Sequence, residues 1–220
     1  MSERKAEKKY RWYWFCVFLC RNFCRIFFRM RVCGLENVPT EGGFLLVSNH
    51  QSFLDPLFCG IFVKRGLTFM ARDTLFRNRF FGRLLRSVNA IAVRRGEADL
   101  TAIKAIISRL KEQEGVCIFP EATRTADGKI RDFKAGIGFL CRKGRASIVP
   151  VVIDGAFEAW PRSKKFFKPF CTISVSYGKP LFAEDIKDCK DGGIAKKLTS
   201  RLRQMQSELR IEQGKEVFIY

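Results

Sequence analysis

The chain of 220 residues carries a formal net charge of +19, and 47% of its residues are hydrophobic. This length and composition allow a sizeable buried core, which excludes a disordered protein and favours one large domain. The excess of positive charge predicts a polyanionic partner, such as an anionic membrane surface, an acidic carrier protein or a nucleic acid. Nine cysteines, an odd number scattered along the chain, argue against a disulfide framework and indicate a reducing compartment.

The first predicted element is an amphipathic helix over residues 11–31. Arginines recur every four residues along one face, while Phe23, Ile26 and Phe27 lie on the other. Its uninterrupted apolar stretch, Trp12–Cys20, is shorter than the roughly 20 residues that a spanning helix needs. No small-residue cleavage site follows that would indicate a signal peptide.

Aromatic side chains at one end of this helix and basic ones along a face favour a helix lying in the interface of an anionic membrane. Six side chains are predicted to contact the membrane: Trp12, Trp14, Phe18, Arg21, Arg25 and Arg29. The positive charge around the helix favours a monotopic attachment on the cytoplasmic face. The alternative, in which this helix packs onto its own domain, stays open.

The next feature is the buried strand predicted at Phe44–Val47 and the turn that follows it. This turn carries the chain's one histidine, His50, and Asp55-Pro56 has the pattern of an N-cap and first helical residue. On one continuous helix the side chains of His50 and Asp55 would point about 140° apart, whereas a strand-to-helix turn can bring them together. An aspartate that accepts the proton of one ring nitrogen leaves the other nitrogen free as a base. From spacing alone, an N-cap aspartate beside an unconnected loop histidine stays open.

A Phe-rich segment interleaved with arginines follows at residues 68–85, and it has two interpretations. It lines an apolar groove with a basic rim, or it forms core with a solvated face. A core-packing helix is predicted over residues 98–114, and Gly115 separates it from a strand at Val116–Phe119. The Glu-Ala-Thr-Arg turn then lies at the carboxyl end of that strand, where open α/β sheets bind ligands.

Further strands are predicted at residues 148–153 and 172–177, and an amphipathic helix at 194–209. The alternation of strands and helices predicts the α/β class. We expect a single domain over residues 34–220, with a central mixed sheet flanked by helices. Residues 1–33 are predicted to form a basic, membrane-anchoring segment before it.

Two sequence blocks in this order resemble the motifs of a known family. The first runs from Asn49 to Asp55 and has a histidine and an aspartate separated by four residues; the second is Phe119–Thr125, Phe-Pro-Glu-Ala-Thr-Arg-Thr. Both are similar to blocks of the glycerolipid acyltransferases, a family typified by 1-acylglycerol-3-phosphate acyltransferase. Weaker agreement in shorter stretches extends the resemblance over residues 34–180.

The resemblance implies transfer of an acyl group from acyl-CoA or acyl-carrier protein to the free hydroxyl of 1-acylglycerol-3-phosphate (lysophosphatidic acid). The product would be phosphatidic acid, in phospholipid biosynthesis. His50 would remove the hydroxyl proton and Asp55 would hold the imidazole ring, without a covalent acyl-enzyme. No metal or other cofactor is expected, because the thiolate is a good leaving group and the chain has no Cys-x-x-Cys pair.

Substrate-binding residues are expected in both blocks and in an arginine pair between them. A phosphate favours arginine, because guanidinium forms paired, charge-assisted hydrogen bonds with phosphate oxygens. The predicted set is Asn49, Arg94, Arg95, Glu121, Thr123 and Arg124. The alternatives are solvated arginines at 94 and 95 and a salt bridge between Arg124 and Glu121.

Ala122 departs from the family, which usually has glycine in this block. Glycine adopts positive φ without the steric cost that alanine meets, so a turn that needs positive φ here would alter acceptor binding. Another lysolipid acceptor is therefore an alternative. A second alternative is a non-catalytic basic protein that binds a membrane or nucleic acid and tolerates the loss of His50. We expect an enzyme with no nucleic-acid partner.

Overall fold

The computed structural model describes residues 3–94, 99–182, 184–186 and 189–220 of the chain. Within these ranges, the strands are β1 (Arg29–Cys33), β2 (Phe44–Ser48), β3 (Leu67–Arg72), β4 (Ala90–Val93), β5 (Gly115–Ile118), β6 (Ser147–Asp154) and β7 (Thr172–Tyr177). The helices are α1 (Glu3–Phe27), α2 (Asp55–Gly60), α3 (Arg79–Ser87), α4 (Leu100–Lys111), α5 (Ile137–Gly144), α6 (Ala156–Ala159) and α7 (Asp191–Glu212).

All of these strands belong to one sheet in the order β1-β7-β6-β2-β5-β3-β4. The neighbours pair in parallel, except for the antiparallel pair of β6 and β7. The prediction of an α/β domain with a central mixed sheet is confirmed. Because β6, β2, β5, β3 and β4 run in the same direction, their carboxyl ends lie along one edge of the sheet.

Helices cover both faces of the sheet, and alternate residues of the buried strands point to opposite layers. Leu45 and Val47 pack in one apolar cluster with side chains of α4, α5 and α7. Phe44 and Leu46 pack in a second cluster, with side chains of α1 and α2. This two-sided burial explains why β2 is a continuous apolar run rather than an alternating one.

The end of α1 differs from the prediction of a helix through Arg31. The helix ends at Phe27, and Arg29–Cys33 form β1, which pairs with β7 from Thr172 to Ser176. The physical reason is the alternation Arg-Met-Arg-Val-Cys, which has the period of a strand and places every second residue in the exposed class. The boundary predicted at residue 33 therefore lies at the end of a strand that belongs to the sheet.

One side of α1 packs against the domain. Tyr13 and Cys24 are buried there, and the Tyr13 hydroxyl accepts a hydrogen bond from the Leu67 amide at 3.0 Å. The opposite side leaves Phe15, Phe18 and Ile26 exposed by 50%, 60% and 64%. None of the helices in the described part of the chain combines the length and the apolar composition needed to cross a bilayer.

Candidate active site

The site begins at the turn between β2 and α2, at the carboxyl edge of the sheet. His50 Nδ1 lies 2.7 Å from Asp55 Oδ2, and Asp55 is fully buried. Asp55 is an acceptor in its ionised form, so this contact places the proton on Nδ1 and leaves Nε2 as the free nitrogen. The prediction that a strand-to-helix turn brings His50 and Asp55 together agrees with this geometry.

The turn curls because the same carboxylate oxygen organises its backbone. Asp55 Oδ2 accepts hydrogen bonds from the amides of Gln51 at 2.6 Å and Ser52 at 2.7 Å. Asp55 is itself the first residue of α2. Pro56 follows it, and Leu54 occupies the N-cap position. The predicted N-cap is therefore off by one residue, although the carboxylate does satisfy amides before the helix.

The second motif block joins the first through Glu121. Its Oε1 accepts from the His50 amide at 2.8 Å, and its Oε2 accepts from the Arg131 amide at 3.1 Å. The Thr125 amide donates to the His50 carbonyl at 2.8 Å. The Phe119 ring stacks on the imidazole with centroids 4.4 Å apart. The loop after β5 therefore fixes His50 from its backbone and from one ring face.

Glu121 holds this junction from a buried position, and it is 6% exposed. Burial raises the pKa of Glu121 from 4.5 to about 7, although the two amide hydrogen bonds favour the charged form. The amides of His50 and Arg131 hold the two oxygens of this carboxylate. Glu121 thus joins the loop after β5 to the backbone of His50, and a substrate contact by Glu121 stays a prediction.

Two other predicted substrate contacts differ in their surroundings. Asn49 is 1% exposed, and its carboxamide exchanges two hydrogen bonds with the backbone of Ile153, at 2.9 and 2.8 Å. This pairing ties the end of β2 to β6, and a substrate contact by Asn49 stays a prediction. Thr123 is partly buried in the loop after β5, between Ala122 and Arg124.

Ala122 occupies the turn in a left-handed conformation, with φ of 60°. The family's glycine would adopt this angle without strain, whereas the methyl group of alanine crowds the backbone. Ala122 is exposed, so the strain is local to the turn. The departure from the motif thus falls at a position where positive φ is used.

A cavity of about 550 Å³ opens at His50 and extends towards α3 and β4. Its wall is mainly apolar and includes Cys20 of α1, Leu57 of α2, Phe69 of β3 and Leu85 of α3. The first of the two interpretations of the Phe-rich segment, an apolar groove with a basic rim, fits this arrangement.

Two arginines line the same cavity as His50: Arg72, at the end of β3, and Arg124. The Arg124 guanidinium lies over the Phe53 ring, 5.2 Å from its centroid. Sequence reasoning places Arg72 in the Phe-rich segment, where a basic rim beside an apolar groove is one of two interpretations, without singling it out from the other arginines. The feature that links Arg72 to the site is its position. It ends a strand next to β5, so its backbone reaches the same edge of the sheet.

Arg94, the first arginine of the predicted pair, lies further along that edge. Arg94 follows β4, is exposed, and its amide donates to the Asp99 carboxylate at 3.0 Å. It is not among the described residues that line the cavity. Arg95 lies outside the described residues.

The predicted membrane contacts have different surroundings. Trp12 and Phe18 are exposed by 43% and 60%, and Arg25 is also exposed. Trp14 is partly buried, with its ring against Tyr13. The other two predicted contacts are arginines. Arg21 of α1 donates from Nε to the Ile61 carbonyl at 2.9 Å, and Arg29 is an exposed residue of β1.

Comparisons with known proteins agree with the fold and the motif blocks. A 1-acyl-sn-glycerol-3-phosphate acyltransferase of Bacillus subtilis (strain 168) is 27% identical over 199 residues, covering 86% of this chain and 96% of that protein. A protein of the same name from Streptococcus pneumoniae is 26% identical, covering 79% of this chain and 64% of that protein. The crystal structure of the acyltransferase PlsC from Thermotoga maritima matches with a TM-score of 0.77 and 25% identity, covering 96% of this chain and 84% of that one.

A model of the acyltransferase family matches residues 29–154, which is more than half of the chain. The matched region runs from β1 to the end of β6 and includes both blocks that meet at His50. The chain therefore belongs to the acyltransferase family.

Proposed function

We propose that this chain transfers an acyl group from a thioester, acyl-CoA or acyl-carrier protein, to the free hydroxyl of 1-acylglycerol-3-phosphate, forming phosphatidic acid. The observation that carries the proposal is the His50–Asp55 pair at the mouth of an apolar cavity that also holds Arg72 and Arg124. The names of the relatives from Bacillus subtilis and Streptococcus pneumoniae support the acceptor.

The reaction needs a base for the alcohol and an acid for the leaving thiolate. His50 Nε2 removes the hydroxyl proton as the oxygen attacks the thioester carbonyl, and Asp55 stabilises the imidazolium through Nδ1. When the tetrahedral intermediate collapses, the carbon–sulfur bond breaks and the imidazolium returns its proton to the thiolate. The new ester bond and the free thiol balance the step.

The two ends of a lysophospholipid match the two surfaces of the cavity. The apolar wall suits an acyl chain, since burying methylene groups there is favourable by about 0.8 kcal/mol each. Arg72 and Arg124 suit the phosphate. Phosphate contacts by Arg94 and Arg95 remain predictions, as does a contact by Thr123.

We also propose that α1 attaches the enzyme to an anionic membrane as a monotopic anchor on the cytoplasmic face. The outward side chains Phe15, Phe18 and Ile26 support an in-plane position. The guanidinium of Arg21, in contrast, is engaged by the Ile61 carbonyl and ties α1 to the end of α2.

The first experiment measures thiol release and phosphatidic acid formation in mixed micelles, with acyl-CoA or acyl-carrier protein and with or without 1-acylglycerol-3-phosphate. We expect release that depends on the acceptor and is abolished in His50→Ala. Arg72→Ala and Arg124→Ala should raise the KM for the acceptor, whereas Arg201→Ala, at an exposed position on α7, should not.

Each outcome assigns a different function. Turnover with another lysolipid, but not with 1-acylglycerol-3-phosphate, would keep the mechanism and change the acceptor. Ala122 at positive φ is the structural reason to test other lysolipids. Absence of turnover with any donor and acceptor, together with an unchanged His50→Ala variant, would leave a basic binding protein.

A further inference from the structure

Helix α3 presents an apolar face that the domain does not cover. Phe80 is 88% exposed and Leu84 is 44% exposed, and their spacing of four residues puts them on one side of the helix. Phe81 and Leu85 face the cavity that opens at His50. Gly82 faces the preceding turn so closely that an added Cβ would lie 2.7 Å from the Phe76 carbonyl oxygen. The inner side of α3 is therefore packed, and its outer side is apolar.

Cations surround this outer face. Arg77, Arg79, Arg83 and Arg86 are all exposed, and residues 77–88 contain no acidic side chain. An exposed phenylalanine and leucine flanked by arginines would be unfavourable in water but suit the boundary between acyl chains and phosphate groups. The positive charge therefore favours an anionic partner, and the exposed apolar side chains favour a partner with a hydrocarbon interior.

The outer face of α3 adjoins the exposed side of α1. Trp12 Nε1 of α1 donates to Ser87 Oγ of α3 at 2.9 Å. The Trp12 ring lies against Phe15, with centroids 5.8 Å apart. The surface proposed for membrane attachment thus continues from α1 onto α3, and both helices contribute side chains to the wall of the cavity between them.

We propose that α3 is a second membrane-interface helix, which inserts Phe80 and Leu84 into an anionic phospholipid bilayer while its arginines bind lipid phosphates. The inference rests on the proposed function in one respect: an acyl chain would enter the cavity between α1 and α3 directly from the bilayer. Binding to the bilayer itself is independent of catalysis. Neither Phe80 nor Leu84 lines the cavity, so both can be changed without altering its wall.

The test measures co-sedimentation of the full chain with vesicles of phosphatidylcholine and phosphatidylglycerol, without substrate. The variant Phe80→Ser/Leu84→Ser is compared with Ile211→Ser, a 65% exposed apolar residue on α7, in the layer across the sheet from α1. We expect the α3 variant to lower the partition coefficient about tenfold or more, and the control to bind like wild type. Acyl transfer to a short-chain, monodisperse acceptor should be the same in all three proteins.

Arg79→Gln/Arg83→Gln supplies a second, charge-based measurement. We expect it to weaken binding to vesicles containing phosphatidylglycerol more than binding to pure phosphatidylcholine. Equal vesicle binding of wild type and both α3 variants would overturn the proposal. So would an α3 variant that changes the oligomeric state in vesicle-free solution and leaves vesicle binding intact, because the face would then join copies of the chain. If vesicle binding depends on α3 but no acyl transfer occurs, the membrane helix stands and the proposed function fails.

Discussion

At the residue scale, the geometry of the candidate site depends on one oxygen. Asp55 Oδ2 accepts from His50 Nδ1 and from the amides of Gln51 and Ser52, so it shapes the turn and orients the ring. Glu121 holds the His50 amide from the other side. The imidazole is therefore positioned by two carboxylates, of which one contacts its ring and the other contacts its backbone.

Replacing Asp55 by asparagine tests the role of that oxygen in catalysis. The asparagine side chain can still accept from the turn amides, but its amide nitrogen can favour the wrong tautomer of His50. We expect kcat for Asp55→Asn to fall by about three to four orders of magnitude, with a smaller change in KM. Steady-state kinetics of acyl transfer measure this split. Asp132→Asn, at an 89% exposed position, should keep wild-type kinetics.

Ala122 predicts a stabilising substitution. Its φ of 60° is strained for alanine and relaxed for glycine, so Ala122→Gly should increase the free energy of unfolding by about 0.5–1 kcal/mol. Urea denaturation measures the difference. Ala135→Gly is the matched control: it is exposed and lies outside the described positive-φ positions, so it should lower stability. A loss of stability in Ala122→Gly would contradict the strain argument.

Glu121 predicts a pH dependence of stability. Its pKa is raised from 4.5 to about 7, so the folded protein binds this proton more tightly than the unfolded chain does. Stability from this group is therefore highest at low pH and falls as pH rises through that window, by about 3 kcal/mol in total.

The corresponding experiment compares the free energies of unfolding of wild type and Glu121→Gln at about pH 5 and about pH 8. We expect the advantage of wild type over the variant to shrink as pH rises. Glu112→Gln, which removes a carboxylate at a 55% exposed position, is the control variant. A pH-independent difference for Glu121→Gln would show that burial does not disfavour its charge.

At the element scale, the sequence predicts those helices and strands whose own residues show a clear apolar and polar pattern. The strand at 172–177 is predicted with its observed bounds, and the helix at 194–209 lies within α7. In contrast, sequence reasoning assigns the first three residues of β1 to the end of a helix, because the partner strand β7 is remote in sequence. An edge strand of five residues depends on that distant pairing more than on local preference.

The site residues divide in the same way, into those predicted from the local sequence and those placed by tertiary packing. His50, Asp55 and the second block are visible in the sequence because the proposed chemistry requires particular residue types at this spacing. Arg72 is visible only as one of several arginines of a possible basic rim, since its place in the site depends on β3 lying beside β5. The enclosure of the cavity by α1 and α3 likewise depends on tertiary packing.

The cavity predicts a change of acyl-chain preference. Ala90 lines it from the start of β4, three strands away from β2, so this end lies far from His50. We expect Ala90→Phe to shorten the cavity, which should lower kcat/KM for a palmitoyl donor about tenfold or more and spare an octanoyl donor. Competition between the two thioesters measures the preference. Ala92→Phe, an exposed position on the same strand, should leave the preference unchanged.

At the scale of the whole molecule, the net charge of +19 and the apolar surface should contribute differently to membrane binding. Binding to anionic vesicles should weaken several-fold between about 0.1 and 1 M salt, because the Debye length falls from about 10 to 3 Å. A residual affinity should persist, since insertion of apolar side chains is not screened. Co-sedimentation across a salt series measures both parts. Complete, reversible loss of binding at high salt would show that the apolar surface does not insert.

Phe28 alone separates α1 from β1, and its buried ring lies against Phe58 of α2, with centroids 5.5 Å apart. Such a short connection holds α1, the proposed membrane anchor, in a fixed position relative to the sheet. In a membrane-bound protein of this kind, His50 would lie at a fixed distance from the membrane interface. The lipid composition of the membrane would change how many molecules are attached but would not change this distance. Under the proposed function, a lysolipid would have to rise from the bilayer to reach His50, and how readily it leaves the bilayer would become part of its selection.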